Sequence, residues 1–481
     1  MNLAQIKKVY FIGIGGIGMS ALARYFKSKR VEVLGSDRDL NSDVVKSLLS
    51  ENVKVYDQEN LNESEIQNHI KNADCIIYTL AIPDDNLELK ISKEKTLPHY
   101  TYAEMLGLVS KDNFTIAVSG THGKTTTTAM TGEIAHNLGL NPNIIVGSFM
   151  NWVDKNTNLI TKINFIGGES NLFIVEACEY KRSFLNLSPN ILIITNLEAD
   201  HLDYYKDLAD VKKAFYDLAA KLPQDGKIIC QANDPNLDEI VRDFNDKIID
   251  YSDAINKIPE MKIFGEHNKS NAAAAVKAIQ SYLYLQNSDI EIESEKVFES
   301  IGNFKGTRRR MEYKGELIQD DKNAGAMVYD DYGHHPTEIK VTIKAFQEQF
   351  SDKKICLVFQ PHLHSRTKMF FDDFVDVLSE VEKVIVYPIY RARAEDDFGV
   401  SAKLLVDKIN EKNASDSDLD LNLESKSGTD LNSNSELNIA KFSESFDEIA
   451  EKIQELNDEW VVILLGAGEV YQIAEKLKFK N

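Results

Sequence analysis

Residues 114–130, FTIAVSGTHGKTTTTAM, predict a strand, a glycine-rich loop and a helix in immediate succession. The loop carries G-x-x-G-K-T and is two residues shorter than the common phosphate-loop pattern. Its backbone N–H groups can surround phosphate oxygens at the amino end of the helix, where the helix dipole favours anions. We expect Lys124 to reach the β- and γ-phosphates of ATP, and the hydroxyl of Thr125 or Thr126 to bind Mg²⁺. The ATP-binding residues predicted in this loop are Gly120, Thr121, His122, Gly123, Lys124, Thr125 and Thr126.

A second glycine-rich turn, GIGGIG at residues 13–18, follows an apolar run and opens another predicted helix. Asp37 follows Gly18 by nineteen residues, a spacing typical of a dinucleotide-binding turn whose acid meets a ribose hydroxyl. By itself the turn favours a nicotinamide-dependent oxidoreductase. That hypothesis leaves the phosphate loop and the EADH segment at 198–201 without a role.

The length and the alternation of strands and helices predict three domains of the α/β class. At 481 residues the chain exceeds what one hydrophobic core usually holds. Apolar strands alternate with helices in three successive blocks. We predict a Rossmann-like N-terminal domain (1–111), a central P-loop ATPase-like domain (112–305) and a Rossmann-like C-terminal domain (306–481).

Residues 413–438 interrupt this alternation. They contain six acidic residues and one lysine, together with many serines and asparagines. This composition predicts a solvated, disordered insert, with a short strand in the alternating LDLNLES piece as the alternative.

The composition is that of an ordinary globular protein and argues against some partners. The net charge of −21, from 55 basic and 76 acidic residues, disfavours broad binding to nucleic acid or anionic lipid. No apolar run reaches the roughly 18 residues that span a bilayer, and none of the four cysteines forms a C-x-x-C pair. We therefore expect a cytoplasmic protein with reduced thiols that binds neither nucleic acid nor a membrane.

Two further predicted strands end in side chains that can bind a metal ion. LFIVEACE places Glu176 at one strand end, and ILIITNLEADHLD places Asp200 and His201 after another. The carboxyl ends of parallel strands lie on the same edge of a sheet, so these side chains can converge on the phosphate loop. The alternatives are a helix cap for Glu176 and an ordinary surface histidine for His201.

Histidine, asparagine and arginine residues cluster in later segments. GEHNKSN begins a predicted helix, where the asparagine amides can read an adenine edge or simply cap the helix. FKGTRRRM places Arg308–Arg310 side by side, so a phosphate or carboxylate partner and a solvated hinge are both open. The loops VYDDYGHHP and FQPHLHSRTK each follow a predicted strand and suit substrate binding and proton transfer.

The order of these motifs resembles the Mur ligases of peptidoglycan synthesis. The resemblance rests on GIGGIGMSALA, GTHGKTTTT, EACEYKRSFLNLSPNILIITNLEADHLDYY, GEHNKSNAAAA, FKGTRRRM, YDDYGHHPTEI and FQPHLHSRTK, and extends to LLGAGE at 464–469. It implies that ATP phosphorylates the carboxylate of UDP-N-acetylmuramate and that the amine of L-alanine then displaces the phosphate. The first motif and the YDDYGHHPTE loop favour alanine, and a relative that attaches a ready-made peptide to the same sugar is the alternative. TLAIPDDN at 79–86 departs from the serine-rich family pattern, which leaves the uridine contacts open.

The resemblance also implies a role for each motif. Thr125 and Glu176 would hold one Mg²⁺ ion, which Mn²⁺ can replace, and His201 would help to hold a second. The implied nucleotide contacts beyond the loop are His267, Asn271, Arg309 and Arg310, and the implied UDP-sugar contacts are Gly15, Gly16, Gly18, Ser36 and Asp37. The implied contacts of the amino acid and the acyl phosphate are Tyr332, His334, His362 and Arg366. The implied catalytic residues are Lys124, Glu176, His201, His334 and Arg366, in a monomer or a homodimer.

Overall fold

The chain folds into three sheets in the computed structural model. The described residues are 2–153, 160–287, 294–320, 323–393, 395–423 and 439–480. Each sheet is mostly parallel and alternates with helices, which confirms the predicted α/β fold class with three domains. The domain boundaries at 111/112 and 305/306 stay predictions.

The first sheet consists of parallel strands that are each followed by a helix. The strands are β1 (Lys8–Ile12), β2 (Glu32–Asp37), β3 (Lys54–Asp57), β4 (Cys75–Tyr78) and β5 (His99–Thr101). The helices are α1 (Ile17–Ser28), α2 (Asp43–Ser50), α3 (Glu63–His69), α4 (Leu87–Glu94) and α5 (Tyr102–Lys111). The strand order β3–β2–β1–β4–β5 reverses between β1 and β4. The glycine-rich turn between β1 and α1 therefore lies at the crevice where open α/β sheets bind ligands.

The central sheet surrounds the strand that leads into the phosphate loop. Its strands are β6 (Phe114–Ser119), β7 (Asn143–Val153), β8 (Ile160–Ile166), β9 (Leu172–Glu176), β10 (Ile191–Ile194), β11 (Lys227–Cys230) and β12 (Ile248–Asp250). Its helices are α6 (Lys124–Asn137), α7 (Leu208–Ala219), α8 (Asp238–Asp243), α9 (Ser252–Ile255), α10 (Glu266–Leu285) and α11 (Ser294–Asn303). The order is β12–β11–β10–β6–β9–β7–β8, and only the β7–β8 pair is antiparallel among the described strands. The carboxyl ends of β9 and β10 thus flank that of β6, as the parallel arrangement predicts.

The C-terminal sheet repeats this alternation. Its strands are β13 (Glu312–Asp320), β14 (Asn323–Asp331), β15 (Lys354–Phe359), β16 (Lys383–Val386), β17 (Ala440–Phe442) and β18 (Trp460–Leu465). Its helices are α12 (Pro336–Gln349), α13 (His364–Met369), α14 (Phe371–Leu378), α15 (Ala402–Leu423) and α16 (Phe446–Gln454). The order is β13–β14–β18–β15–β16–β17, with β13 antiparallel to its neighbour. No helix in the described segments is long and apolar enough to cross a membrane.

Helix α15 overturns part of the prediction of a disordered insert at 413–438. The helix includes residues 413–423, and the LDLNL part of the alternating piece is helical with them. Ile409 is fully buried, and the side chain of Asn410 exchanges two hydrogen bonds of 3.0 Å with the backbone of Ala440. A helix fixed in this way extends cooperatively, even through residues of low helix propensity. The rest of the insert lies outside the described residues.

The first two sheets share one hydrophobic core. Contacts between residues group 1–262 and 268–308 into one compact unit. Phe26 of α1 belongs to the same buried cluster as Phe173 of β9 and Phe215 of α7. Residues 263–267 and 309–481 form the other unit, whose sheet buries an apolar cluster on each face.

A buried arginine holds α1 against the central sheet. Arg24 is 7% exposed, and its guanidinium donates to Glu51 at 2.7 Å and to the side-chain oxygen of Asn164 on β8 at 2.6 Å. Asn164 in turn donates to the carbonyl oxygen of Ile17 and to the hydroxyl of Ser20. This network fixes the helix that follows the glycine-rich turn.

We predict that Arg24→Ala lowers the free energy of unfolding by about 2–3 kcal/mol, because it leaves the buried Oδ1 of Asn164 without this donor and removes the packed guanidinium. Urea unfolding followed by circular dichroism measures this loss. The matched control is Lys213→Ala, which removes an exposed ion pair with Asp217 and should cost no more than about 0.5 kcal/mol. Equal urea midpoints of unfolding for the two variants would contradict the role of Arg24 in holding α1 against the central sheet.

Candidate active site

The phosphate loop between β6 and α6 contains two glycines in left-handed backbone conformations. Gly120 has a φ angle of +135° and Gly123 one of +81°. A Cβ atom on Gly120 would lie 2.0 Å from Oγ1 of Thr195, and one on Gly123 would lie 2.5 Å from Oδ1 of Asn271. Both the backbone angles and the space therefore require glycine.

Asn196 anchors the middle of this loop to the end of β10. The N–H of Thr121 donates to its carbonyl oxygen at 3.1 Å, and the N–H of His122 donates to its Oδ1 at 2.9 Å. These two donors are therefore engaged within the protein. The first turn of α6, whose N–H groups have no partner inside the helix, is what remains for a phosphate.

The ammonium group of Lys124, the first residue of α6, has three oxygen acceptors. It donates to the carbonyl oxygens of Gly120 (2.6 Å) and Thr121 (3.0 Å) and to Oε1 of Glu179 (3.0 Å). Burial opposes the charge on this side chain, but neighbouring acidic groups, with Glu179 first, outweigh it and raise the pKa of Lys124. Lys124 is therefore a cation at the amino end of a helix, where an anionic phosphate would complement both charges.

Thr125 and Glu176 supply the oxygen atoms expected for Mg²⁺. Oγ1 of Thr125 lies 3.0 Å from Oε1 of Glu176, and Oε2 of Glu176 accepts a hydrogen bond of 2.7 Å from the N–H of Gly147. Hydroxyl and carboxylate oxygens are ligands that Mg²⁺ prefers. A further carboxylate oxygen, Oε2 of Glu179, is buried and has no hydrogen-bond partner among the described residues. The residues present thus fit a divalent cation beside the loop.

His201 reaches the same group of side chains from the segment after β10. Its Nε2 lies 3.6 Å from Oε1 of Glu179 and 3.9 Å from Oδ2 of Asp200. The φ angle of His201 is +53°, in the left-handed region that few non-glycine residues adopt. The structure therefore brings Lys124, Glu176 and His201 together, as the strand ends predict.

Glu179 is the residue of this site that the sequence interpretation missed. It is 3% exposed and lies within hydrogen-bond distance of Lys124. The signal was present in EACEYK, where a second glutamate follows Glu176 by three residues. Glu179 reaches Lys124 only because the chain turns after β9, and the pattern of apolar residues in a strand does not predict such a turn.

Asn271 packs against the phosphate loop from α10. It is 8% exposed, and its Nδ2 donates to Oδ1 of Asn268 at 3.4 Å. Its Oδ1 faces Gly123. Asn271 therefore supports the loop directly, and its contact with adenine stays a prediction.

Asp37 closes the glycine-rich turn of the first sheet. Its Oδ2 accepts a hydrogen bond of 2.7 Å from the N–H of Gly15, and Gly16 directly precedes α1. Ser36 is fully buried, and its hydroxyl donates to Glu88 at 2.8 Å. The side chain of Ser36 is therefore engaged with Glu88, while its carbonyl oxygen accepts hydrogen bonds from the turn.

A cavity of 230 Å³ is lined both by Gly18 of the glycine-rich turn and by Glu176, a predicted metal ligand. Tyr102, Cys178 and Phe184 also line it. A Cβ atom on Gly18 would lie 2.6 Å from the ring of Tyr102, so a larger residue is excluded there. Both predicted ligand sites of this unit therefore border one cavity.

Arg309 is buried among side chains and backbone carbonyl oxygens of the C-terminal unit. The residue is 9% exposed. Its guanidinium contacts the carbonyl oxygens of Gly466 and Gly468, Oδ1 of Asp330 at 3.4 Å, and the rings of Tyr332 and Tyr471 at 5.1 and 4.5 Å. Burial raises the pKa of Asp330 to about 6 although Arg309 opposes the shift. These contacts tie the start of this unit to the loop after β18, and a role of Arg309 in nucleotide binding stays a prediction.

Arg310 and His267 are electrostatically coupled in the same unit. Arg310 lies 3.4 Å from Oε1 of Glu338 and 5.2 Å from the ring centre of Tyr332. Burial, and then the charge of Arg310, lower the pKa of His267 to about 4. The imidazole of His267 is thus neutral at pH 7 and can both donate and accept a hydrogen bond.

Three of the residues predicted for the amino-acid end form a row of rings. The ring centres of Tyr332 and His334 are 5.4 Å apart, and those of His334 and His362 are 5.6 Å apart. Glu338 orients this row because its Oε2 accepts a hydrogen bond of 3.0 Å from the N–H of His334. Arg366 lies half-buried on α13. The structure therefore joins the two predicted histidine-containing loops.

Three family models match successive parts of the chain. They are described as the Mur ligase family catalytic domain (residues 8–113), the Mur ligase middle domain (118–258) and the Mur ligase glutamate ligase domain (309–468). Two full-length relatives carry the name UDP-N-acetylmuramate–L-alanine ligase. The one from Clostridium novyi is 34% identical and covers 98% of this chain and 96% of its own length. The one from Caldanaerobacter subterraneus is 33% identical and covers 100% and 99%.

Two crystal structures show the same fold. The UDP-N-acetylmuramate-alanine ligase of Thermotoga maritima matches with a TM-score of 0.70 and 24% identity, covering 98% of this chain and 97% of its own. A murein peptide ligase of Psychrobacter arcticus matches with a TM-score of 0.60 and 21% identity, covering 98% of each chain.

We predict that Arg309→Lys lowers the free energy of unfolding by about 2 kcal/mol, because a lysine cannot satisfy two carbonyl oxygens while stacking between two rings. The matched control is Arg310→Lys, at the neighbouring and more exposed position, which should lose less stability. Thermal unfolding of the two variants measures the difference. A larger loss for Arg310→Lys would show that the structural role is misassigned.

The pKa of His267 predicts a pH dependence of stability. In the unfolded chain this imidazole titrates near its ordinary value of 6.5, and in the folded chain near 4, so unfolding takes up a proton between these values. The stability that the folded chain gains from keeping His267 neutral is fully present above pH 6.5 and is lost as the pH falls towards 4. NMR titration of isotope-labelled histidine should show a resonance, absent from His267→Gln, that stays neutral down to about pH 4.5. A titration at pH 6 or above would contradict the desolvation of His267 and its proximity to Arg310.

Proposed function

The chain belongs to the Mur ligase family, and on this premise we propose that it joins L-alanine to the carboxylate of UDP-N-acetylmuramate. ATP is converted to ADP and phosphate in the reaction. As a Mur ligase, the chain is an ATP-dependent enzyme of peptidoglycan synthesis. Relatives named for this activity match it over almost its whole length.

The observation that carries the proposal is the convergence of Lys124, Glu176 and His201 at the ends of three adjacent strands. A cation, a carboxylate and an imidazole at a phosphate loop suit phosphoryl transfer. A nicotinamide-dependent oxidoreductase has no use for this group. The glycine-rich turn then serves the diphosphate of the UDP-sugar, because glycines allow close approach of the backbone and α1 follows with its amino end.

In the first step, a carboxylate oxygen of the sugar bonds to the γ-phosphorus of ATP as the bond from that phosphorus to the β–γ bridging oxygen breaks. Two anions must approach each other, so the reaction depends on positive charge around them. Lys124 and the amino end of α6 supply it from the protein. Thr125 and Glu176 would hold Mg²⁺, or Mn²⁺ in its place, which neutralises phosphate charge when bound.

In the second step, the amine of L-alanine attacks the carbonyl carbon of the acyl phosphate. The C–N bond forms, the C–O bond to the phosphate breaks, phosphate leaves, and the nitrogen loses a proton to the solvent. By family resemblance, Tyr332, His334, His362 and Arg366 serve the amino acid and the acyl phosphate. Arg366 is suited to the carboxylate of alanine because a guanidinium can donate two parallel hydrogen bonds.

The geometry in the first unit also supports the assignment of the sugar nucleotide. The cavity between Gly18 and Glu176 joins the turn to the metal-binding carboxylate, so one ligand can occupy both ends. We further propose that the enzyme is cytoplasmic and acts as a monomer or a homodimer.

Phosphate release should require ATP, Mg²⁺, UDP-N-acetylmuramate and L-alanine together. Lys124→Ala should reduce the rate by about 10³-fold or more, because it removes the cation beside the transferred phosphoryl group. A coupled phosphate assay measures both, with Lys213→Ala as the control that should match the wild type. Equal release without the sugar nucleotide would refute the proposal, and release with a ready-made peptide but not with alanine would favour the peptide-attaching alternative.

A further inference from the structure

The carboxylate of Glu179 is buried between a lysine and a histidine. It is 3% exposed. Oε1 accepts a hydrogen bond of 3.0 Å from Nζ of Lys124 and lies 3.6 Å from Nε2 of His201. Oε2 is buried and has no hydrogen-bond partner in the described part of the chain. One oxygen of a charged group is therefore unsatisfied, which native structures rarely tolerate without a functional reason.

Lys124 cannot keep its present contacts and also bind a phosphate. Its three donors match three acceptors, two of them carbonyl oxygens of the loop itself and the third Glu179. An ammonium group has three N–H donors. A phosphate at the amino end of α6 must therefore draw Lys124 away from at least one of these acceptors.

Departure of Lys124 would leave Glu179 as a buried carboxylate with one imidazole nearby. A buried charge needs a partner of opposite sign, because desolvation penalises it heavily. Two carboxylate oxygens and an imidazole nitrogen can instead hold a divalent cation. The free Oε2 is the atom that such an ion would take first.

The segment that carries Glu179 is fixed independently of Lys124. The φ angles of Lys181 and Arg182 are +52° and +56°, and Arg182 is held by an ion pair of 2.6 Å to Asp210. The hydroxyl of Tyr205 donates to the carbonyl oxygen of Glu179 at 2.5 Å. The backbone at Glu179 is therefore anchored by contacts that do not involve the lysine.

We propose that Glu179 exchanges Lys124 for a divalent cation when ATP binds, and that it holds this cation together with His201. The inference rests on the proposed binding of ATP at the phosphate loop. Before ATP binds, Glu179 restrains Lys124 and competes with the nucleotide for its ammonium group. Once ATP and metal are bound, Glu179 is a ligand of the second metal ion.

The exchange predicts opposite effects of Glu179→Gln with and without metal. In EDTA, the variant should bind an ATP analogue with a β,γ-methylene bridge about tenfold more tightly, because Lys124 is no longer held by a carboxylate. With Mn²⁺ and the same analogue, its affinity for a second Mn²⁺ ion should fall about tenfold or more, because a carboxylate ligand is lost. Calorimetry measures the first effect and electron paramagnetic resonance of free Mn²⁺ the second.

Asp203→Asn is the matched control, because it removes the same charge from an exposed position on the His201 segment. It should change neither the affinity for the analogue in EDTA nor the affinity for the second Mn²⁺ ion by more than about twofold. Unchanged Mn²⁺ binding in Glu179→Gln, with normal nucleotide binding, would overturn the exchange alone. Weaker nucleotide binding both with and without metal would also overturn it, because that pattern indicates a merely structural role. Failure of the wild type to bind the analogue would instead refute the proposed function.

Glu179→Asp covers the case in which the glutamine variant does not fold. The shorter carboxylate keeps the charge but withdraws from both neighbours. The Glu179→Asp variant should bind the second Mn²⁺ ion more weakly and bind the first with unchanged affinity. Equal affinities for both ions in this variant and the wild type would overturn the proposal.

Discussion

A lysine cation at the amino end of a helix is the constraint on which the central site depends. Lys124 carries its charge where the dipole of α6 is also positive, and it is largely buried. Only oxygen atoms brought close by the chain can stabilise it. The loop supplies two of them by turning at Gly120 and Gly123, where no larger residue fits. Glu179 supplies the third. An anionic ligand is the natural complement of such a site.

The same unit connects this site to a second one. The network around Arg24 and Asn164 holds α1 on the central sheet, and α1 starts at the glycine-rich turn. The cavity beside Gly18 reaches Glu176. A glycine-rich turn that would indicate a nicotinamide cofactor by itself thus borders the same cavity as Glu176, and this neighbourhood is what supports the proposal of a sugar nucleotide. The ligand follows from what lies next to the turn and not from the turn alone.

Local patterns predicted much of the fold and of the site. The strand–loop–helix at 114–130 and the apolar strands that end at Glu176 and before His201 were enough to place three candidate side chains on one sheet edge. The β7–β8 hairpin was missed because β7 contains Gly147, Ser148 and Asn151 and lacks a continuous apolar run. Residues 413–423 were misjudged because their composition is that of a loop, whereas the buried start of α15 fixes a helix that continues through them.

The remaining roles depend on contacts between distant segments. Nothing local to RRR distinguishes Arg309, which is enclosed by two tyrosines and the loop after β18, from Arg310. The hydrogen bond from buried Ser36 to Glu88 and the one from Lys124 to Glu179 likewise join segments that are distant in the sequence.

An acyl phosphate can form only if the carboxylate of the sugar attacks the γ-phosphate of ATP. UDP-N-acetylmuramate labelled with ¹⁸O in its carboxylate tests this most directly. During turnover with L-alanine, mass spectrometry should find one labelled oxygen in each released phosphate, because the carboxylate oxygen that bonds to phosphorus leaves with it. Unlabelled phosphate accompanied by amide product would contradict the attack by the carboxylate and the formation of an acyl phosphate.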